Sequence, residues 1–358
     1  MNNIVEFSYV NKKDKELVDI FISSQNVKKY ILGINKFSKA ISKLIKVDGI
    51  IDDFTRIQSS RKKHILKIED IPKDAIILST ASGSPLEVKN RLDDMGFQNF
   101  NYLVLYKFSL FDLPTPPFIV DFEDDFKRNR DKYSEVYDLL EDEKSKEVFE
   151  KVINFKITFD YNFMAGFTND YEGQYFDKNI IPEIKDITFL DGGGYIGDTL
   201  PTIIKNYPDF KKIYMIEPSE LHINIAKRSF SQIDNIEFIN CGLGSKKAIT
   251  KENRVDNNCN HTFRAQNIDT IDNMVKIKID FIKLDIEGAE QDAIKGAKET
   301  IQKYKPILAI CIYHKAEDWY KIPALVLGIE KGYDIYLRHY MEGIFETVMY
   351  FIPQQKID

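Results

Sequence analysis

The run ITFLDGGGYIGDT (187–199) constrains the fold of this chain more than any other stretch. A short apolar segment leads to Asp191 and then to Gly192, Gly193, Gly194, Tyr195, Ile196 and Gly197, so a strand passes directly into a glycine-rich turn. Gly192, Gly194 and Gly197 satisfy G-x-G-x-x-G, the spacing that lets backbone approach a ligand where a strand gives way to a helix. Four further strand-then-loop units succeed it: KKIYMIEPSE (211–220), NIEFINCGLG (235–244), DFIKLDIEGAE (280–290) and KPILAICIYH (305–314). YDIYLRHY (333–340) and FETVMYFIP (345–353), with only MEGI between them, read as a hairpin. The pattern predicts a parallel α/β sheet with an antiparallel edge.

Charge around the turn narrows the ligand. Glu217 follows Asp191 by 26 residues, at the end of the next strand. An acid there accepts both hydroxyls of an adenosine ribose, in NAD and in S-adenosylmethionine (SAM) alike. Asp191 directly precedes the glycines and Asp198 directly follows them. Two carboxylates framing the turn repel a pyrophosphate, which an NAD site welcomes with backbone N–H groups and a helix N-terminus. The methionine end of SAM carries an ammonium beside its carboxylate, and a sulfonium, so acids together with glycine N–H groups suit it. The arrangement therefore favours SAM over NAD. A turn in which Asp198 or Thr199 simply caps a helix is compatible with the same residues.

LDIEGAE (284–290) lies at the end of the fourth strand of this series. Alternation puts Asp285 and Glu287 on one side if the strand extends that far, so paired acid chemistry is available. Asp285 is the candidate for contact with a sulfonium or for orienting an acceptor hydroxyl; Glu287 and Glu290 can instead cap or solvate the next helix. His314 ends the fifth strand, beside Asp285 across adjacent strands. An alcohol loses its proton as a methyl group moves, and an imidazole is a suitable general base. Arg338 and His339, on the terminal hairpin, are candidates for binding an acidic or sugar acceptor. His64, His222 and His261 receive no role. No H-E-x-x-H or Cys/His spacing supports a metal.

These motifs resemble those of the FkbM family of SAM-dependent methyltransferases. The resemblance rests on LDGGGYIGDT, MIEPSE, INCGLG, FIKLDIEGAE and the ending IYHKAEDWYKIPALV…YDIYLRHYMEGIFETVMYFIP, with LLEDEKSKEVFEKVINFKITFD and QYFDKNIIP upstream, and spans about residues 135–353. It implies a class I methyltransferase Rossmann-like sheet, order 3-2-1-4-5-7-6 with strand 7 antiparallel, and O-methylation of a hydroxyl, often on a sugar or a natural product. By position it carries the cofactor residues over to Asp191, Gly192, Gly193, Gly194, Gly197 and Glu217, with Tyr195 inside the turn and Asp198 and Thr199 at the family's helix start. Where many class I enzymes place an acid for the adenine amine, this chain has Asn240, Cys241 and Gly242, so Asn240 or a backbone carbonyl takes that place.

The N-terminal part has its own series. KKYILGINK (28–36), VDGIIDD (47–53), IPKDAIILSTAS (71–82) and NFNYLVLYKF (99–108) read as strands, with helices over 37–45 and 85–97. Its turn, Gly33-Ile34-Asn35-Lys36-Phe37-Ser38, keeps only the first glycine; Lys36 and Ser38 hinder close approach of backbone to a pyrophosphate. Asp52 and Asp53 could still hold a ribose, but a structural Rossmann-like module is the favoured reading. It is similar to the degenerate Rossmann-like domains found beside enzymes of surface-polysaccharide synthesis. LPTPPF (113–118) breaks the chain, and 121–156 reads as one or two amphipathic helices capping the next domain. At 358 residues the chain exceeds a single ordinary core of roughly 100–200 residues. The expected division is a smaller Rossmann-like α/β domain over 1–112, a helical linker or cap over 113–180, and a methyltransferase domain over 181–358.

Composition excludes several classes. Fifty Lys and Arg against 56 Asp and Glu give a net charge of −6, which argues against a nucleic-acid binder using a broad basic face. Three cysteines, Cys241, Cys259 and Cys311, are too few and too scattered for a disulfide framework or a zinc cluster. No run reaches the roughly 18 apolar residues of a membrane span. The opening residues carry charges where a signal peptide needs an apolar stretch, so a cytoplasmic location is the default. The expected partner is a small-molecule or glycan acceptor, and a homo-oligomer is compatible with the sequence. Two rivals remain: an NAD(P)-dependent oxidoreductase using the literal G-x-G-x-x-G, and a non-enzymatic module whose N-terminal domain holds a nucleotide-sugar. The joint presence of Asp191, Glu217, Asp285 and His314 counts against the second.

Overall fold

The computed structural model describes residues 1, 3–53, 65–249, 254–255, 262–263 and 267–354. His64, Cys259 and His261, and much of the 245–268 insertion, lie outside the described residues. Two sheets, one all-parallel and one mixed, organise the chain. The first has β1 (Lys29–Leu32), β2 (Gly49–Ile51), β3 (Ile65–Leu66), β4 (Ile76–Ser79) and β5 (Gln98–Asn101) in the order β3-β2-β1-β4-β5, every pair parallel. One face packs on a core holding Phe21, Ile31, Leu78 and Leu105; the other covers Ile51, Ile77 and Leu92.

The segment 99–108, read as one strand, is not one. The strand stops at Asn101, whose side-chain oxygen accepts the Leu103 N–H and caps a helix over Tyr102–Phe108. Asn at an N-cap satisfies an orphan helix donor, and the apolar residues after it are buried by helical packing instead. The 121–156 stretch holds three helices, Phe122–Arg128, Arg130–Asp138 and Glu143–Thr158. The last of them buries residues all round, because it lies between the second sheet and the N-terminal core: Val152 and Ile153 face one, Phe155 the other.

The second sheet contains β6 (Thr188–Gly192), β7 (Lys212–Ile216) and β8 (Ile236–Ile239). After the short strands β9 (Gly242–Leu243), β10 (Ala248–Ile249), β11 (Arg254–Val255), β12 (Thr262–Phe263) and β13 (Asn267–Asp269), it resumes with β14 (Phe281–Leu284), β15 (Ile307–Cys311), β16 (Tyr333–His339) and β17 (Thr347–Pro353). Its order is β16-β17-β15-β14-β6-β7-β8, with β17 antiparallel to both neighbours. Counting only these seven strands along the chain, that is 3-2-1-4-5-7-6, the Rossmann-like arrangement expected of a class I methyltransferase. Apolar residues alternate along each strand, Leu190 and Ile282 to one core and Phe189 and Phe281 to the other, so both faces are covered by helices. Among the described residues no helix is long and apolar enough to cross a membrane.

Arg338 and His339 do not face an acceptor. Arg338 is buried and holds the Glu143–Thr158 helix to the hairpin: Nη2 lies 2.6 Å from Asp142 Oδ2, Nε 3.0 Å from Asp177 Oδ2, and Nη1 donates to Ser145 Oγ at 2.9 Å. His339 is buried with Nδ1 2.9 Å from Thr347 Oγ1 and its ring edge-on to Phe167, and burial, aided by the charge of Lys156, drives its pKa down to about 3. Consecutive on β16, the two side chains leave opposite faces of the strand, and each is taken up by partners from other elements of the protein.

Candidate active site

The carboxyl ends of β6, β7, β14 and β15 converge on one place, because parallel strands in register deliver their terminal loops together. The glycine turn follows β6. Gly193 and Gly197 have φ of +77° and +86°, which L side chains rarely adopt. A Cβ on Gly193 would stand 1.8 Å from the Asp285 carbonyl oxygen, and one on Gly194 would stand 2.4 Å from Met215 Cγ. The glycines thus bring the β6 turn hard against the loops of its two neighbours.

Glu217, 4% exposed, is held at the end of β7 by two backbone donors: Tyr195 N–H at 3.1 Å and Ser219 N–H at 2.7 Å. Each of its oxygens accepts one hydrogen bond here and keeps a second lone pair. Burial raises its pKa, opposed by Ser219 N–H, His222 and Tyr195 N–H. His222, given no role from the sequence, has Nδ1 3.6 Å from Glu217 Oε1 and its ring 4.4 Å from that of Tyr195. Its signal was present, since Ser219 caps the helix in which His222 takes the first turn. Asn240 donates to the Glu217 carbonyl at 2.9 Å, and the buried Cys241 thiol faces the carbonyls of Gly242 and Asn267. Thr199 precedes the helix Leu200–Asn206 without capping it through its side chain, and Asp198 is exposed beside it.

Asp191 sits differently from the open frame read in the sequence. It is fully buried, and its Oδ1 lies 3.0 Å from Nζ of Lys283, its register partner on β14. Lys283 also donates to the Gly193 carbonyl at 2.8 Å and lies over the Tyr175 ring. The lysine answers the Asp191 charge within the sheet, which leaves Asp198 as the solvent-facing acid of the turn. Lys283 escaped notice because one strand's sequence does not say what stands opposite it.

Asp285 and His314 do meet. His314, with a side chain 1% exposed, places Nε2 3.4 Å from Asp285 Oδ1 and 3.7 Å from Glu287 Oε2, and Nδ1 3.0 Å from Glu290 Oε1. Asp285 Oδ2 accepts from the Tyr175 hydroxyl at 3.0 Å and Oδ1 from Tyr313 at 3.1 Å. Burial works to raise the Asp285 pKa, but His314, then Lys283 and the two hydroxyls outweigh it and hold the carboxyl below its ordinary value. Burial works to lower that of His314, yet Glu290, Asp285 and Glu287 raise it to about 9. At neutral pH the imidazole is therefore cationic, and it supplies the positive charge between Asp285 and Glu290. Beyond them Glu346 hydrogen-bonds Gln174, and burial followed by the charge of Asp285 pushes its pKa up to about 8. Gln174, Tyr175, Tyr313 and Glu346 were not identified from the sequence: the first two arrive together from the segment before β6, Tyr313 from the end of β15 and Glu346 from the hairpin connection. The rings of Phe118, Tyr313 and Phe345 pack against one another beside His314. An open cavity of about 660 Å³, lined by Leu86, Arg91, Phe167 and Glu342 among others, lies apart from this cluster.

The strand order is the Rossmann-like arrangement of class I methyltransferases. Residues 191–335 match the model of the Methyltransferase FkbM domain. The crystal structure of methyltransferase FkbM from Methylobacillus flagellatus KT is similar over 96% of this chain and 94% of that one, with a TM-score of 0.76 and 23% sequence identity, a likeness of fold. A putative rRNA methylase from Clostridium thermocellum overlaps 55% of this chain and 94% of its own, with 9% identity and a TM-score of 0.34. No curated protein matches the chain.

Proposed function

We propose that the protein is a SAM-dependent O-methyltransferase acting on a hydroxyl of a sugar in a surface-glycan or polysaccharide pathway, in the cytoplasm. In this reading residues 1–112 form a structural module, 113–180 a cap and 181–358 the catalytic domain. The observation that carries it is Glu217: a buried carboxylate, fixed by two backbone donors at the end of the second strand, with a lone pair left on each oxygen for a ribose diol. The donor set fits the cofactor. Glu217 would hold the ribose, Asn240 and Cys241 would border the adenine, and the Gly193–Gly197 turn with Asp198 would hold the methionine end. When bound, SAM supplies an electrophilic methyl group on a sulfonium.

The chain's own residues supply alignment, charge and a proton path. Asp285, kept ionised and oriented by Tyr175 and Tyr313, accepts the hydrogen bond of the acceptor hydroxyl and favours a cation beside it. His314 is cationic at rest; a second positive charge competing for Asp285 would lower its proton affinity, the ring would release its resting proton to solvent, and the neutral Nε2 would then take the proton of the acceptor hydroxyl. Holding acceptor and donor in line is worth up to roughly 7–11 kcal/mol in favourable cases. The ring faces of Phe118, Tyr313 and Phe345 suit the C–H faces of a sugar.

Parallel calorimetric titrations with SAM, S-adenosylhomocysteine and NAD⁺ test this. Micromolar binding of the two sulfur compounds, with none of NAD⁺, is the expected outcome; binding of NAD⁺ alone would overturn the reading.

A further inference from the structure

We propose that Glu290 is a positioning residue that anchors His314 through Nδ1, so that Nε2 is the nitrogen presented to Asp285, Glu287 and the acceptor. This rests on the methyltransferase reading for its purpose, though not for its geometry. After β14 the chain turns back through Glu287 and Gly288, with φ of +56° and +91°. A left-handed conformation at a non-glycine residue is costly and persists where the surroundings impose it. The reversal folds Glu290 under its own loop, where Oε1 accepts the Ile286 N–H at 2.9 Å. The same oxygen stands 3.0 Å from His314 Nδ1.

Glu290 is 0% exposed, and its Oε2, like both ring nitrogens of His314, is buried with no hydrogen-bond partner, so its contact with His314 Nδ1 is an ion pair. A buried carboxylate calls for a counter-charge. Asp318, its acidic neighbour from the helix Asp318–Ile329, does not supply one. Burial and then Glu290 itself raise the Asp318 pKa to about 7, and its Oδ1 accepts from Gln291. Lys315 is turned toward the Gly288 carbonyl. The imidazole of His314 is the cation that faces Glu290. Its ring is also confined by Phe118, edge-on at 5.0 Å, and by Tyr313 at 4.1 Å.

The groups acting on His314 are therefore Glu290 on the Nδ1 side, Asp285 and Glu287 on the Nε2 side, and Asp318 and Glu346 at longer range. Of the acids, Glu290 does most to raise its proton affinity. An acid on Nδ1 selects the tautomer that leaves Nε2 bare once the proton is gone, which is the form a proton acceptor at Nε2 requires.

Side-chain ¹⁵N–¹H correlation spectra of the protein, with His314→Ala to assign the resonance, test the assignment without acceptor or cofactor. In the wild type the neutral ring should carry its proton on Nδ1. Glu290→Gln keeps an oxygen for the Ile286 N–H, so it should fold; it should lower the proton affinity of His314 at least tenfold, while the retained oxygen beside Nδ1 keeps the Nδ1–H tautomer. Glu290→Asp should restore part of the proton affinity. A His314 titration unchanged in Glu290→Gln would overturn the proposal, leaving Glu290 a loop cap. So would a dominant Nε2–H tautomer in the wild type, a result that stands even if Glu290→Gln does not fold. Failure of SAM to bind would strike the functional reading and not this one.

Discussion

The chain builds the same turn twice and closes it once. Both sheets place a central strand, β1 or β6, before a glycine with positive φ and a helix. After β1, Asn35 fills the turn. Its side-chain oxygen accepts the N–H groups of Phe37 and Ser38, and its amide donates to the Thr80 carbonyl and hydroxyl. The donors that would cradle a phosphate are spent inside the protein. After β6 no side chain caps the following helix, and the carboxylate at the end of the neighbouring strand, Glu217, is itself held in place by backbone. The acids differ likewise: Asp53 is tied to Ile68 N–H and to Arg91, whereas Glu217 retains accepting capacity. In the proposed reading one Rossmann-like turn is a structural joint and the other a site, and the occupant of the turn makes the difference rather than the topology.

Alanine at the paired glycines should separate the two turns most strongly. At Gly193 the new Cβ meets a backbone oxygen at 1.8 Å, which no rotamer relieves; at Gly33 it meets Thr80 Oγ1 at 2.7 Å, which a hydroxyl rotation eases. Both also suffer positive φ. Gly193→Ala should cost at least about 4 kcal/mol, the range of severe core lesions, and abolish SAM binding. Gly33→Ala should cost about 1–3 kcal/mol and leave the SAM affinity unchanged. Urea denaturation with calorimetry reads both, and equal losses would erase the distinction. Next in size, Glu217→Gln removes a charged acceptor of two ribose hydroxyls. Since hydrogen bonds to charged groups contribute about 1.5–3 kcal/mol, SAM should bind roughly 10- to 100-fold more weakly, and the urea midpoint should fall as well, because the Gln amide nitrogen must face one of the two N–H donors.

Much of the second sheet's topology was legible because the sequence writes it locally: a glycine turn, strands ending in acids, and a short connection that can only join a hairpin. The run 99–108 was not legible, because buried strands and buried helices both read as continuous apolar residues, and a single cap at Asn101 decided it. Within the site, Asp285 and His314 could be paired because they end adjacent strands. Their partners could not, since Tyr175 arrives from the cap and Lys283 matters only through its register with Asp191. Arg338 misled for the same reason: strand position was readable, and the two acids waiting on the other side were not.

The helix that joins the two halves gives a smaller, pH-dependent effect. Lys156 is 1% exposed, with Nζ over the Phe122 ring and 3.3 Å from the Phe118 carbonyl; burial, only partly offset by Asp121, lowers its pKa to about 7. Between pH 7 and its unfolded value of 10.5 the unfolded chain binds more protons, so stability rises with pH across that window; below it the cost of burying the ammonium is fully present. Lys156→Met removes that cost. The variant should exceed the wild type in stability at pH 6, by an amount on the order of a few kcal/mol, and the gap should shrink steadily by pH 9.5. A gap independent of pH in denaturant titrations would mean that the ammonium is solvated and that the halves are joined by apolar packing alone.

The mildest contrast lies at the two helix starts. Asn35→Ala removes the acceptor of two helix N–H groups and the link to Thr80, so it should cost about 1 kcal/mol, with the usual spread of 0.5–2 for a lost cap. Thr199→Ala removes a side chain that caps nothing and should fall within about 0.5 kcal/mol of the wild type. The SAM affinity should ignore the first substitution, because that turn has no vacancy for a ligand to feel. If instead Asn35→Ala were neutral and Thr199→Ala costly, measured by urea midpoints on both proteins, the assignment of joint and site would have to be exchanged: the capped turn would be the one held in reserve, and the glycine turn after β6 the one the fold depends on its own side chains to close.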